Sequence, residues 1–526
     1  MNSDEYLYFL DRAFDGMLAV LGELGDQRAN QAPPFDGANS PWAITYHCTE
    51  VADYWIGHLI GGRESNRDRA AEFTARGTIA DLTRTIAALR ANLQKDLDGF
   101  DPAAPLKNTP PSDYEGPSRA LTPVTTSITP APRFPGFDDL DIRQLSRRTG
   151  VKWARAVEAG ALPAWVADMD FPVAPEIRAA LKDVIDRGDL GYPNWLHGTP
   201  LRAEFARRMS DRYGWQVDPT DVREQTDLIQ ALQLILHLAT RPGDSVVIQT
   251  PNYPPFLATI ETMGRKTVEF PFVDTENGWA LDFDEFERTL AQSRPTVLVL
   301  VNPHNPTGRV HTRRELERIA ELAERYALLV ISDEIHAELI YEPHRHIPFA
   351  SISEDAASRT VTVTSAGKAF NLAGLRCAVV HYGPKDLLAI RDGEPPDLYG
   401  AVSVLGVTGT LAAWQHGHAW QDTLTRVLDR NRLRVHDALT RTLPTARHHL
   451  PEATYLSWVN VSPLPVADPI DRIRRSGHVL VDGGTPFGKT DGRFIRINFA
   501  TSEALLERVL SGITDALTDL DPCTLT

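Results

Sequence analysis

Apolar side chains recur at intervals of three and four residues through the first hundred positions of the chain, which is the spacing of one buried helix face. This spacing predicts three helices, over residues 4–24, 42–59 and 79–97. The turn-prone segment 33–41 separates the first two helices. We therefore expect residues 1–100 to form a small all-α unit.

The composition changes abruptly after this unit. Residues 101–135 contain many prolines and few apolar side chains, so they lack the material for a packed core. We expect an extended linker here, and it is the clearest domain boundary in the sequence.

Beyond residue 135, short runs of β-branched residues alternate with amphipathic helical stretches such as the one at 313–327. Strands are predicted at 245–251, 296–303, 328–334 and 360–368. This alternation predicts an α/β fold, in which helices cover both faces of a mostly parallel sheet.

Polar residues follow each of these predicted strands. They are Asn252, Tyr253, the segment 302–308, Asp333, Ser365 and Lys368. Because ligands of parallel sheets bind beyond the carboxyl ends of the strands, we expect these residues to share one binding site.

Composition and charge exclude several classes of function. A chain of 526 residues is too long for one core and predicts two or three domains. The formal net charge of −16 disfavours binding to nucleic acid or to anionic lipid. No apolar run approaches the roughly 20 residues of a membrane span, and the first residues lack a secretory pattern. We expect a cytoplasmic protein.

The cysteines and histidines do not predict a metal site or a disulfide framework. Cys48, Cys377 and Cys523 are widely spaced and form no CxxC pair, which indicates reduced thiols. No carboxylate or cysteine completes a metal-ligand spacing around the histidines at 304, 344 and 346. We therefore expect no metal.

Four motifs in order along the chain indicate amino-acid chemistry. They are NPHNPTG (302–308), SDEIHAEL (332–339), SAGKAFNLAGLR (365–376) and FIRINFA (494–500). Together they resemble the class I/II aminotransferase-like enzymes of fold type I, which use pyridoxal 5'-phosphate (PLP) to delocalise the carbanion of an amino acid. The resemblance covers about residues 135 to 520.

Further segments resemble one group within that family, the MalY/PatB cystathionine β-lyases and cysteine-S-conjugate β-lyases. The segments are WVADMDFPVAPEI (165–177), PNYPPF (251–256), HRHIPFASI (344–352) and ATYLSWV (453–459). The resemblance implies a large domain with a seven-stranded, mostly parallel sheet and a small α+β domain. It places the large PLP-binding domain at 185–415 and the two parts of the small domain at 136–184 and 416–526. It also implies a homodimer with the active site at the subunit interface.

The resemblance assigns the residues that hold the ring of PLP. Lys368 is implied to carry the cofactor as a Schiff base and then to act as the acid and base at the α-carbon. Asp333 is implied to pair with the pyridinium nitrogen, Asn305 to bind the phenolic oxygen, and Tyr253 to stack on the ring. His336 either supplements the phenolic contact, supports Asp333, or simply packs.

The phosphate of the cofactor is implied to contact Ser365, Arg376, Thr226 and the amides at Asp227 and Leu228, where a helix begins. A carboxylate beside a phosphate is unfavourable unless the side chain turns away. Thr226 and the backbone amides are therefore better candidates than the carboxylate of Asp227.

Substrate contacts follow from the same resemblance. Arg496 is implied to fork the α-carboxylate of the substrate with two parallel hydrogen bonds. Asp168, Met169 and Asn305 are implied to line the substrate side of the site. Tyr192 is implied to reach the cofactor of the neighbouring subunit as a catalytic residue, with a buried loop tyrosine as the alternative.

The cofactor motifs do not name the reaction, because PLP labilises each bond at the α-carbon. The MalY/PatB resemblance implies β-elimination from cystathionine or a cysteine S-conjugate. An aminotransferase would need the same groups, and a decarboxylating or oxidatively deaminating enzyme would need the carboxylate repositioned. Gly367, where relatives often carry a bulkier residue, could loosen the lysine geometry. A PLP-binding regulator would need a basic DNA-binding helix, which the acidic helical unit lacks.

The amino-terminal unit has a resemblance of its own. The segment SPWAITYHCTEVADYWIGHLIGGR (40–63) is similar to the second helix of DinB-like proteins, among them mycothiol-dependent maleylpyruvate isomerases. In that family a histidine near the position of His47 joins two others from a later helix to bind metal. That helix is missing here, so we expect His47 to pack or to be exposed. The unit suggests a substrate derived from a thiol conjugate, or else a docking or dimer-stabilising role.

Overall fold

The computed structural model describes residues 3–32, 39–97, 107–108, 133–196, 198–395, 398–489 and 493–518. The chain divides into two compact units, Met1–Pro132 and Arg133–Thr526. Most of the segment predicted as a linker, and Cys523, lie outside the described residues.

The first unit is helical, as the apolar spacing predicts. Its helices are Ser3–Ala29, Pro41–Ala52, Arg69–Glu72 and Ile79–Asp96, and the second continues as a π-helix over Asp53–Ile60. Ser40 and Thr78 cap two of these helices with their hydroxyl groups, which explains where the helices begin. The apolar faces share one core that includes Phe14, Trp42 and Leu82.

His47 packs within this unit. Its Nδ1 lies 2.5 Å from the buried carboxylate of Glu72, which also receives two hydrogen bonds from Arg67. No cluster of three or more possible metal ligands occurs in the part of the chain that the structure describes.

The second unit is built on a seven-stranded sheet. In spatial order its strands are Val222–Gln225, Ala378–Tyr382, Thr360–Thr364, Leu329–Asp333, Val297–Val301, Ser245–Thr250 and Lys266–Pro271. Ala378–Tyr382 runs antiparallel to both neighbours, and the other pairings are parallel. The four predicted strands are all in this sheet, which confirms the α/β prediction. Their apolar runs are continuous because both faces are buried.

Helices cover this sheet and continue the chain around it. They are Pro175–Asp186, Leu201–Tyr213, Leu228–Ala239, Pro254–Thr262, Phe283–Ser293, Arg313–Arg325, Glu354–Arg359, Ala366–Ala369, Lys385–Gly393, Val404–His416 and His418–Thr442. Short 3-10 helices occupy Pro219–Asp221, Phe349–Ser351, Ala373–Leu375 and Thr485–Phe487. A hairpin joins Val273–Thr275 to Gly278–Ala280.

A smaller antiparallel sheet lies in the carboxyl-terminal part, with helices Pro469–Ser476 and Glu503–Thr518. Its strands are Arg447–His448, Leu456–Asn460, Phe494–Asn498 and Asp482–Gly483. The segment that opens the unit contains helices Ile142–Leu145 and Val151–Glu158, and its strand Leu162–Pro163 pairs with Val479–Leu480. The predicted division of this unit at 184/185 and 415/416 stays a prediction.

Among the described residues, no helix combines the length and the apolar character that crossing a membrane requires.

Candidate active site

A cleft opens beyond the carboxyl ends of the parallel strands. Its empty volume, including the part that is open to solvent, is about 860 Å³. It brings together many residues singled out in the sequence. They are Thr226, Asp227, Leu228, Tyr253, Asn305, Asp333, His336, Ser365, Lys368 and Arg376.

Asp333 lies at the floor of this cleft, as the last residue of the strand Leu329–Asp333. Its side chain is buried, and Oδ1 accepts a hydrogen bond from the amide of Ile335 at 3.0 Å. Burial raises the pKa of the carboxyl to about 7; the negative charge of Glu334 adds to the rise, and Lys368 opposes it. A carboxyl with this pKa can exchange its proton near neutral pH with a basic nitrogen placed against it.

Lys368 stands on the short helix Ala366–Ala369 and directs its amine into the same cleft. Nζ donates a hydrogen bond to the carbonyl oxygen of Ala167 at 2.6 Å. Loss of water around the amine lowers the pKa of Lys368 to about 8, although the negative charges of Asp168 and Asp333 act in the opposite direction. A fraction of the amine is therefore unprotonated near neutral pH, as a nucleophile or proton acceptor must be.

The turn before Lys368 is fixed by Ser365. Its Oγ accepts a hydrogen bond from the amide of Gly367 at 2.9 Å and donates one to the carbonyl of Cys377 at 2.7 Å. A Cβ atom at Gly367 would lie 3.1 Å from this Oγ, a tight contact. The glycine therefore permits a close turn, whereas the sequence suggested that it could loosen the lysine geometry.

The helix Leu228–Ala239 points its amino terminus at one end of the cleft. Asp227 caps this helix, because its Oδ1 accepts a hydrogen bond from the amide of Gln230 at 2.9 Å. Its Oδ2 forms an ion pair with Arg376. The carboxylate thus faces the guanidinium, although the sequence argument favoured one that turns away.

Arg376 itself adopts a left-handed backbone conformation, with φ of 53°. This region is sparsely populated by residues with a side chain and is frequent at functional sites. The side chain of Arg376 is 63% exposed, so an anion in the cleft can reach it.

Arg496 lies on the strand Phe494–Asn498. It is at the margin of the cleft, at the end opposite to the helix Leu228–Ala239. Its guanidinium is buried; Nη1 donates to Oδ1 of Asn305 at 2.9 Å, and Nη2 donates to the carbonyl of Trp165 at 3.2 Å. Nη2 also pairs with Asp482. Because Asn305 lines the cleft and accepts through Oδ1, its Nδ2 is left to donate to a ligand.

The segment that carries Asp168 and Met169 serves the site through its backbone. Asn498 Nδ2 donates to the carbonyl of Asp168 at 2.6 Å, and Asn371 Nδ2 donates to that of Met169 at 3.3 Å. The side chain of Met169 is 2% exposed and packs in the core. Neither Asp168 nor Met169 is among the residues that line the cleft, and the substrate contacts implied for them stay predictions.

A buried ion pair holds this segment in place. Lys152 Nζ lies 2.9 Å from Asp170 Oδ1, and both side chains are almost completely buried. Lys152 also donates to the carbonyl of Asp168 at 3.1 Å, and Trp153 Nε1 donates to Asp170 at 2.7 Å. These contacts fix the carbonyl of Ala167 against Lys368.

Tyr192 is not in the cleft of its own chain. Its side chain is fully exposed on the loop between Pro175–Asp186 and Leu201–Tyr213, beside the exposed Leu190 and Leu196. The alternative of a buried loop tyrosine is wrong for the isolated chain.

His336 and Tyr253 complete the walls of the cleft. Burial lowers the pKa of His336 to about 3, so its imidazole is neutral. Its buried Nδ1 has no hydrogen-bond partner among the described residues. Tyr253 precedes the helix Pro254–Thr262, and its ring packs against Phe256 with centroids 5.6 Å apart.

Comparison with known proteins assigns the second unit. The family model for aminotransferase class I and II matches residues 166–513. The chain belongs to this family. A separate model, for the DinB superfamily, matches residues 10–125 and so extends into the segment predicted as a linker. Both findings confirm the two resemblances seen in the sequence.

Curated members of the aminotransferase class I and II family include similar enzymes over almost their full length. Cystathionine beta-lyase PatB of Bacillus subtilis is 34% identical, over 70% of this chain and 96% of its own. Protein MalY of Escherichia coli is 31% identical, over 68% of this chain and 92% of its own. The crystal structure of cystalysin from Treponema denticola, which contains PLP, superposes with a TM-score of 0.68 at 27% identity, over 74% of this chain and 100% of its own.

The cleft of this class I/II family member fits PLP. Lys368 offers a partly unprotonated amine, and Asp333 offers a buried carboxyl that exchanges its proton near neutral pH. Arg376 and the first turn of Leu228–Ala239 offer a guanidinium and a helix amino terminus to a phosphate. The unsatisfied Nδ1 of His336 adds a polar atom that a ligand could satisfy.

Several residues that build the site were not singled out in the sequence. Asp482 pairs with Arg496, Asn371 and Asn498 hold the segment beneath Lys368, and Tyr455 donates its hydroxyl to the carbonyl of Ala167 at 3.1 Å. Asn371, Tyr455 and Asn498 fall within the quoted segments 365–376, 453–459 and 494–500. Their contacts join positions about 200 to 330 apart in sequence, which spacing within a motif does not reveal.

The ionisation of Lys368 can be measured directly on the cofactor-free protein. We expect its acetylation rate to rise with a midpoint near pH 8, because burial lowers the pKa of its amine to about 8. Mass spectrometry of peptides from pulses at different pH values gives the midpoint. In Asp333→Asn the midpoint should move lower, since a negative charge that favours the ammonium form is gone. A midpoint above pH 10 in the unmodified protein would contradict this geometry.

Replacement of Arg496 by lysine tests the carboxylate contact. The substitution keeps the positive charge but loses the two parallel donors, so affinity for an amino acid should fall by about 10- to 100-fold. Titration of the PLP-loaded protein with an S-substituted cysteine measures this. The corresponding amine without a carboxylate is the control ligand, and Arg432→Lys, a buried arginine stacked on Tyr341, is the control variant. An equal loss of affinity for the amine would show that Arg496 does not bind the carboxylate.

Proposed function

We propose that this chain is a PLP-dependent C–S β-lyase that cleaves a cysteine S-conjugate or cystathionine. One water is consumed, and the products are a thiol, pyruvate and ammonia. The observation that carries the proposal is the position of the Lys368 amine, partly unprotonated and held within one cleft between Asp333 and the margin where Arg496 lies. When bound, PLP supplies the electron sink that makes the α-proton of an amino acid removable.

Asp333 would hold the proton on the ring nitrogen of the cofactor. Its pKa of about 7 in the cofactor-free cleft means that the carboxyl can bring a proton to the ring and keep it there as a charged hydrogen bond. The amide of Ile335, which donates to Oδ1, holds the carboxyl in position. Tyr253 would pack on the ring, and Nδ2 of Asn305 would donate to the phenolic oxygen.

Lys368 would move the proton at the α-carbon. Its amine rests on the carbonyl of Ala167, a neutral acceptor that orients the amine without forming an ion pair. An amine with a pKa near 8 can take up the α-proton and release it again near neutral pH. When the carbon–sulfur bond breaks, its electron pair leaves with sulfur, and the thiolate then takes up a proton.

Arg496 would orient the substrate by its α-carboxylate. The carbonyl of Trp165, Oδ1 of Asn305 and the carboxylate of Asp482 restrain the guanidinium. A fixed guanidinium limits rotation of the substrate about the bonds at its α-carbon, and so selects the bond that reacts. Full-length similarity to a cystathionine beta-lyase supports elimination as the outcome.

Transamination is the second candidate, because the family model is defined by aminotransferases and the same groups serve both reactions. The two reactions differ in what they consume. Elimination needs no keto acid and releases a thiol, whereas transamination returns the amino group to a keto acid and releases no thiol.

Product analysis separates these reactions. Incubation of the PLP-loaded protein with an S-substituted cysteine should release thiol and pyruvate in equal amounts, with no added keto acid. Thiol is followed with a disulfide reagent and pyruvate with lactate dehydrogenase. Lys368→Ala, prepared in parallel, should lose both products. A requirement for a keto acid, or an aldehyde in place of pyruvate, would contradict the proposed lyase.

We also propose that two copies of the chain share each active site. Tyr192 is fully exposed between Leu190 and Leu196, which are also exposed. Three large exposed apolar or aromatic side chains on one loop are typical of an interface. Tyr192 would then complete the cleft of the partner.

Mixing of two impaired variants tests the shared site. Tyr192→Ala and Lys368→Ala should each lose most activity, but an equal mixture refolded together should regain up to about a quarter of it, since half of the dimers are mixed and each has one intact site. Thiol release by the refolded mixture measures the activity, and size-exclusion chromatography measures the oligomeric state. Arg496→Ala mixed with Lys368→Ala is the control, because both residues belong to one chain and no intact site forms. Absence of recovery in the Tyr192 mixture would contradict the shared site.

A further inference from the structure

One end of the cleft is where the phosphate of PLP is expected to bind. The side chains that would donate to this phosphate are already paired with other groups of the chain. Thr226 donates both its amide and its hydroxyl to Oε1 of Gln230, at 3.1 and 2.6 Å. The hydroxyl of Ser365 is donated to the carbonyl of Cys377. The guanidinium of Arg376 is paired with Asp227. Each side chain expected to donate to a phosphate thus already has an acceptor within the chain.

Asp227 has the central place in this arrangement. Its Oδ1 accepts the hydrogen bond from the amide of Gln230 that caps the helix Leu228–Ala239. The carboxylate therefore cannot leave the first turn without breaking this hydrogen bond. Its Oδ2 is thereby held toward Arg376. A carboxylate at a helix amino terminus that also pairs with a guanidinium occupies the electrostatic position that a phosphate would take.

We propose that Asp227 stands in for the phosphate of the cofactor, and that the phosphate must compete with this carboxylate for Arg376 and for the helix amino terminus. The proposal rests on the proposed function, because it takes PLP as the ligand of this cleft. Two anions beside one guanidinium repel each other, so the phosphate contributes less to affinity than an open site would allow. Asp227 is therefore a residue that sets cofactor affinity and favours exchange of PLP.

The substitution Asp227→Asn separates the effect of the negative charge on phosphate binding from the role of the side chain as a helix cap. Asparagine caps a helix as well as aspartate does, so the first turn is preserved while the negative charge is removed. The matched control is Asp282→Asn. Asp282 caps the helix Phe283–Ser293 through Oδ1 and the amide of Glu285, also at 2.9 Å, and does not line the cleft.

The measurement is the dissociation constant of the cofactor-free protein for PLP and for pyridoxal, which lacks the phosphate, from absorbance titration. We expect Asp227→Asn to bind PLP about fivefold or more tightly than the unmodified protein, with pyridoxal changed by less than about twofold. Asp282→Asn should change neither constant by more than about twofold. Asp227→Ser, which also caps without a charge, should behave like Asp227→Asn and guards against a variant that folds poorly.

Unchanged or weaker PLP binding in the Asp227 variants would overturn the proposal, because the carboxylate would then be neutral or would orient Arg376 for the phosphate. An equal gain for pyridoxal would overturn it too, since the effect would not act through the phosphate. A second measurement uses inorganic phosphate alone and so does not depend on PLP binding. Phosphate should raise the Tm of Asp227→Asn more than that of the unmodified protein. Failure to bind PLP at all would contradict the proposed function, whereas the phosphate arm would still test Asp227.

Discussion

An amine and a carboxyl group share one buried cleft in this protein, and each titrates near neutral pH because water is excluded from both. Lys368 and Asp333 have their pKa values moved toward each other, to about 8 and about 7, by the same physical cause. The sheet makes this possible, because adjacent parallel strands end at the same edge and bring Asp333 and the turn of Lys368 together. The amide of Ile335 positions the Asp333 carboxyl, and the carbonyl of Ala167 positions the Lys368 amine.

Charge balance governs the two ends of the cleft as well. Arg376 and Arg496 each pair with a carboxylate of the chain, Asp227 at one end and Asp482 at the other. Arg496 is buried, and a buried guanidinium without an acceptor is costly, so Asp482 stabilises the protein before any ligand is bound. An anionic ligand at either end meets a guanidinium that already has a carboxylate partner.

Much of the site could be predicted from sequence, because many of its residues lie at or just beyond the end of a strand that the sequence predicts. Asp333, Lys368 and the residues at 302–308 follow β-branched runs, and the strand periodicity places such residues at one edge. The ion pair of Asp227 with Arg376 was not predictable, because it depends on the side-chain direction of a cap and on the left-handed backbone at Arg376. Asp482 and Asn371 were missed for a related reason, since their partners lie on other elements and share no periodic spacing with them. The core position of the Met169 side chain was not predictable either, because a motif does not distinguish a side chain in the core from one in the cleft.

Covalent capture of the cofactor tests the central claim most directly. After incubation with PLP and reduction with borohydride, peptide mapping should find one pyridoxyl group per chain, on Lys368. Lys152, which is also buried but is paired with Asp170, should remain unmodified and serves as the internal comparison. Capture at another lysine, or no capture at all, would contradict the account of this cleft.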